Sequence, residues 1–148
     1  MDENTSNTLN ETSPSVQAHL GIIQDVIQRM ASNSSQCKAW CITLVSAILV
    51  IIADEGKPSY AWIALLPSIL FLCLDAYYLS LENAFRASYE DFVKKIHSNT
   101  LEVKDLYNLV PKGSMNMHQL KAIKSFSVWG FYLGLIALVA ITRYIVLT

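Results

Sequence analysis

"FLCLDAYYLS", residues 71–80, sets one carboxylate, Asp75, inside an otherwise apolar run. The fold turns on whether that run crosses a bilayer. Reading outward, it extends through "YAWIALLPSILFLCLDAYYLSL", residues 60–81, and a hydrocarbon crossing needs about 17–25 mostly apolar residues. Two more stretches reach that character: "AWCITLVSAILVIIA", residues 39–53, and "FSVWGFYLGLIALVAITRYIVL", residues 126–147. The first is short and borrows from the turn before it.

Composition agrees. Of 148 residues, 53 % are hydrophobic and 16 % charged, whereas soluble domains carry about 25 % charged residues. The expected class is therefore all-α: an integral membrane protein with three transmembrane helices and long cytoplasmic helical extensions. A net charge of -1 offers no field that would draw nucleic acid. His19, His97 and His118 lie far apart, and Cys37 and Cys41 stand one helical turn apart without further ligands in sequence, so no metal site and no cofactor are expected. The thiols read as reduced and structural. No nucleophile–base–orienter set or Gly-rich phosphate loop points to an enzyme.

The chain divides along these lines. Residues 1–13, "MDENTSNTLNETS", lack Lys, Arg and an apolar core, so they read as a disordered tail rather than a signal peptide. Ser13 and Pro14 suit an N-cap and first helical position. A helix is expected over 14–53, running from the cytoplasm into the first span. Residues 54–59, "DEGKPS", form an external hairpin with Gly56 and Pro58 as breakers. Residues 60–97 make a second span that runs on as a cytoplasmic helix. Residues 98–125 are a basic cytoplasmic connection with short helices, and 126–148 the third span.

Three crossings place nine basic residues (Arg29, Lys38, Arg86, Lys94, Lys95, Lys104, Lys112, Lys121, Lys124) on one side and two, Lys57 and Arg143, on the other. The positive-inside rule then predicts a multi-pass protein of the cell inner membrane, N-terminus cytoplasmic and C-terminus periplasmic. Trp40, Tyr77, Tyr78, Phe126 and Trp129 fall at the inner interface of that arrangement, and Tyr60, Trp62 and Tyr144 at the outer one.

Beyond the spans, Val16, Leu20, Ile23, Ile27 and Met30 recur at heptad-like spacing, continued by Ser34, Cys37 and Cys41. Leu81, Phe85, Tyr89, Phe92 and Ile96 make a matching stripe on the second helix. The two stripes bury each other or their copies in neighbouring subunits, and packing on a partner helix is favoured over lying on the inner leaflet. Glu82–Arg86, Arg86–Glu90, Glu90–Lys94 and Asp91–Lys95 are i,i+4 pairs. Asn99 and Glu102 have capping-box spacing, and Ser114 could cap a last helix running through Met117, Leu120 and Ile123 into span three.

Candidate site residues follow. A central Asp costs about 2.5–3.5 kcal/mol to insert, less near an interface. Lys38 stands at a similar depth, so Asp75 pairs locally with Lys38, reaches headgroup water, or forms a ring at the mouth of an oligomeric pore. A proton relay is disfavoured, since no second acid or His lies in the spans. Pro67 is expected to bend span two, as packing or as a gate hinge. Gly130 and Gly134 form GxxxG, continued by Ala137, and suit close helix association. Residues 94–124 hold six lysines, Lys94, Lys95, Lys104, Lys112, Lys121 and Lys124, against Glu102 and Asp105. These face lipid headgroups or a nucleotide-like anion, for which "PKGS" could offer backbone N–H groups.

"GIIQDVIQRMASNSSQCKAWCITLVSAILV" (21–50) followed by "LDAYYLSLENAFRASYEDF" (74–92) resembles a group of small bacterial multi-span membrane proteins. In outline the arrangement is also similar to the SLATT class of membrane effectors, in which helices flank a transmembrane hairpin. That likeness implies a membrane-perturbing effector in a nucleotide-linked defence system; the third span departs from the two-span pattern. The expected function is a homo-oligomeric channel-like or membrane-disrupting effector, controlled by a soluble partner or anionic ligand. The alternative is a non-conducting scaffold that anchors a soluble cytoplasmic partner, with a holin-like or small-transporter role as a third option.

Overall fold

The computed structural model describes residues 9–146. The disordered tail expected over 1–13 therefore lies largely outside the described residues, as do residues 147–148 of the expected third span. All regular structure among the described residues is helical: α1 (Pro14–Glu55), α2 (Leu65–His97), α3 (Met115–Ile123) and α4 (Phe126–Ile141), with short 3-10 stretches at Pro58–Ala64 and Val103–Asp105 and a π-helical turn at Thr142–Val146.

α1 begins where the sequence predicts. Ser13 is the N-cap residue in extended conformation and Pro14 opens the helix, where its missing N–H is no loss. Nothing interrupts the next 42 residues, a rod about 63 Å long. The helix stops at Gly56, which takes φ 64°. Its N–H and that of Lys57 cap the carbonyls of Ala53 and Ile52, the left-handed C-cap that glycine accepts without Cβ strain.

The chain turns back through the 3-10 stretch, which buries Ala61 and Ala64 and exposes Tyr60, Trp62 and Ile63. Pro67 then occupies the third position of α2, where no intrahelical donor is lost. The departure from α geometry lies upstream of this proline rather than in mid-span.

α1 and α2 pair along most of their length, and α4 packs against both at one end only. There, Cys41, Val45 and Leu49 of α1, Ala61 and Ala64, Ala76 of α2, and Val128, Tyr132, Leu135 and Val139 of α4 form the buried apolar core. Three helices, Pro14–Glu55, Ser59–His97 and Phe126–Tyr144, are long and apolar enough to cross a membrane. The other end is a two-helix stalk. Its seam buries Val16, His19 and Ile23 of α1 and Ala84 and Phe92 of α2, with the His19 and Phe92 rings 4.3 Å apart. The α1 stripe faces this seam, but on α2 only Phe92 of the predicted stripe is buried; Leu81, Phe85, Tyr89 and Ile96 are half-buried, and the small Ala84 lies in the seam instead.

A strap, residues 98–114, returns along the stalk. The capping box forms one element later than Asn99 suggests: Glu102 is the N-cap and Asp105 the third residue, Asp105 Oδ2 accepting from the Glu102 N–H at 3.1 Å. Asn99 instead takes φ 53°, a left-handed conformation that Asn tolerates. α3 and α4 are separate helices, broken at Lys124 and Ser125, where the sequence suggested one continuous helix.

Candidate functional site at the stalk junction

Asp75 sits where the stalk meets the apolar bundle, and it is wholly buried. Ser34 and Lys38 lie one turn apart on α1 and both face it. Ser34 Oγ donates to Asp75 Oδ1 at 2.5 Å. Lys38 Nζ stands 2.7 Å from Oδ2 with its own side chain 19 % exposed, and also reaches Ser34 Oγ at 3.4 Å. The ammonium approaches Oδ2 off the line of a good hydrogen bond, so charge rather than direction holds it. A buried carboxylate with one cation and one hydroxyl is compensated; with the cation removed it is strongly destabilising. Of the arrangements open to Asp75, the local pair with Lys38 forms, and the carboxylate is turned into the interior of the chain.

Around this pair lies a polar seam. Cys37 and Cys41 are buried free thiols one turn apart, and Cys73 is an exposed free thiol. Ser68 Oγ donates to the Ala64 carbonyl at 2.9 Å, and Ser80 Oγ to that of Tyr77 at 2.7 Å. Tyr132 of α4, 1 % exposed, enters the same neighbourhood as Asp75, Cys37, Cys41 and Cys73. Its hydroxyl makes no hydrogen bond among the described residues. The residue was missed in sequence, although Val128, Tyr132, Leu135 and Val139 follow a 4, 3, 4 spacing that places it on the inward stripe.

The glycines of α4 lie elsewhere. Gly130, Gly134 and Ala137 fall on the face opposite the buried stripe. A Cβ on Gly134 would meet nothing within 4 Å, whereas one on Gly130 would touch the Phe126 ring at 3.1 Å. The GxxxG surface is therefore not used between helices of one chain.

The six lysines split into two groups. Lys95 pairs with Asp105 at 2.7 Å, Lys104 with Glu102 at 2.8 Å, and Lys112 with Asp91. The Lys95 ammonium holds the Asp105 carboxyl below its usual range, and Lys112 does the same for Asp91; the partner carboxylates raise Lys95 and Lys104. Of the helix-surface pairs, Glu82–Arg86 closes at 2.7 Å, while Asp91 and Lys95 choose partners on the strap instead of each other. Lys94, Lys121 and Lys124 form no ion pair among the described residues.

The "PKGS" stretch is tied to α2 through Lys112. The Lys112 N–H donates to Ser88 Oγ at 3.0 Å and to the Ala84 carbonyl at 3.3 Å, and Ser88 Oγ donates to the Val110 carbonyl at 2.8 Å. Gly113, at φ 95°, lies so close to the His118 ring that a Cβ would come within 2.5 Å of Nε2.

A second contact fixes the strap. The Tyr107 N–H donates to His19 Nδ1 at 2.9 Å, with Tyr107 held at φ 61°, a conformation uncommon for a bulky residue. An accepting Nδ1 requires the neutral ring with its proton on Nε2. Burial pushes the imidazole below its ordinary value of 6.5, with Asp105 opposing. His19, Asp91, Lys95, Asp105 and Lys112 line a cleft between stalk and strap, with its two cations matched by two carboxylates.

No family model matches the chain, and no curated protein or solved structure matches it significantly.

Proposed function

We propose that this chain is a homo-oligomeric effector of the cell inner membrane, channel-like or membrane-disrupting, whose cytoplasmic stalk receives the controlling input from a soluble partner or anionic ligand. One observation carries the reading: α1 and α2 each run without a break from stalk to apolar bundle. Splaying the stalk is therefore levered into the spans, with the buried Lys38–Asp75 pair at the fulcrum. A protein that only anchored a partner would need no such rigid continuity. The unused Gly130–Gly134 surface supports assembly through α4, since small residues let helices approach closely. The defence setting rests on the SLATT-like outline alone.

The burial of Asp75 favours the second reading, a non-conducting scaffold. A carboxylate committed to Lys38 and Ser34 leaves no acidic ring for a pore mouth, so a conducting form would be lined by other groups.

Dye and ion release from liposomes carrying the purified chain separates the two. An effector releases contents once the stalk is engaged by its cellular partner, and Gly134→Leu abolishes both release and assembly while leaving the monomer folded. Absence of release with and without the partner, together with full cellular function of Gly134→Leu, establishes the scaffold.

A further inference from the structure

We propose that α3 is a second membrane-binding element, a surface helix whose outward side takes up anionic lipid of the cytoplasmic leaflet. The proposal rests on the three-span reading above and adds to it a specific lipid-recognition site.

α3 has two faces. The inner one buries Ala122 completely, and Gln119 lies beside Leu72, Cys73, Ala76 and Tyr77 of α2, with Ile123 at the border between the faces. This fixes α3 at the depth of Asp75, where α2 leaves the apolar bundle. The outer one exposes Met117 by 69 % and Leu120 by 57 %, and Phe126, which opens α4, is 75 % exposed. Large apolar side chains left exposed together on one surface are costly in water.

Charge selects the occupant. Asp105 is the last acidic residue of the sequence, so the 43 positions after it carry Lys112, Lys121, Lys124 and Arg143 uncompensated in sequence. Lys112 is committed to Asp91. Lys121 and Lys124 make no ion pair among the described residues and flank the exposed apolar positions. A second copy of this chain would bring the same cations against them, so self-association through this face is disfavoured. A soluble anion would satisfy the lysines and leave Met117, Leu120 and Phe126 in water. An anionic leaflet satisfies both at once: acyl chains for the apolar residues, headgroups for the ammonium groups. The continuation into α4 two residues later keeps this face at the bilayer surface.

The test uses the full-length chain in lipid nanodiscs. Cys73→Ser removes the exposed thiol, and a nitroxide is attached at Met117→Cys, Leu120→Cys or, as a reference in α4, Leu133→Cys. Collisional relaxation by oxygen and by a water-soluble nickel complex is compared in phosphatidylcholine alone and in phosphatidylcholine mixed with phosphatidylglycerol. The expected result is oxygen-dominated relaxation at 117 and 120 in the anionic mixture. Lys121→Gln with Lys124→Gln should return those labels to water, lowering the bound-to-free ratio about thirtyfold, without changing position 133. Water exposure at 117 and 120 in both lipids, with 133 in lipid, overturns the proposal and leaves the spans standing. Water exposure at 133 overturns the three-span reading itself. Lipid exposure at 117 and 120 that ignores both phosphatidylglycerol and the lysine variants overturns the anionic recognition.

Discussion

The two ends of the α1–α2 pair are built from the same two helices and held by opposite chemistry. In the apolar bundle, small and aliphatic residues such as Cys41, Val45, Ala64 and Ala76 meet α4 across a core with few directed contacts. In the stalk, α4 is absent and the strap takes its place. A tilted His19–Phe92 ring contact, a backbone-to-imidazole hydrogen bond and the Lys95–Asp105 and Lys112–Asp91 pairs do the holding. Packing of the first kind answers to shape and ignores salt and pH. The second kind answers to both. One continuous rod thus carries a responsive end and an indifferent end, with Lys38–Asp75 on the boundary.

The sharpest way to break this contrast is at the boundary. Asp75→Leu leaves the Lys38 ammonium facing a partly buried site without its counter-charge, and should cost about 3 kcal/mol. Thermal unfolding in mild detergent should show the loss, and Lys38→Met in the same chain should recover most of it, because a matched apolar pair replaces a compensated ionic one. A double mutant no more stable than Asp75→Leu alone would mean that the pair does more than neutralise itself.

Next in size is a pH effect confined to the stalk. Neutral His19 accepts from Tyr107, and protonated His19 would present a proton to that donor. Because burial lowers the folded imidazole below 6.5, its contribution is complete above the ordinary value and is lost as pH falls through the lower, folded one. The charged groups around it are Asp105 and Lys112 of the strap and Asp91 and Lys95 of α2. Both carboxyls are held below their usual range, so they keep their charge while the imidazole titrates. Hydrogen exchange of strap amides should quicken about fivefold as pH is lowered through this window, after correction for intrinsic rates. The core of α4 should not respond, and His19→Gln, which accepts without titrating, should flatten the profile. An equal response in both ends would erase the distinction between them.

The smallest effect probes the bundle. Tyr132→Phe removes a buried hydroxyl without a hydrogen-bond partner among the described residues and should raise stability by about 1 kcal/mol at any pH. Destabilisation would show that the bundle does contain a directed polar contact at Tyr132.

Much of this architecture was legible in the residues. Helix starts and stops at Ser13–Pro14 and Gly56, the three apolar runs, and the buried stripe on α1 are local properties, set by backbone sterics and by periods of three to four residues. The Lys38–Asp75 pairing was open to sequence because both residues lie at one depth of an antiparallel hairpin, which leaves few partners to choose from. Tertiary structure alone decided the rest. Tyr107 and His19 are 88 positions apart, and no period links them. Asp91 and Lys95 had good helical neighbours in each other and gave them up, since the strap brought Lys112 and Asp105 into better geometry. The burial of Tyr132 and the break between α3 and α4 depend likewise on which helix faces meet. Spacing along a chain reports what each segment prefers by itself; which of several adequate partners a charged or polar group takes is a contest of distances that exists only once the helices are packed.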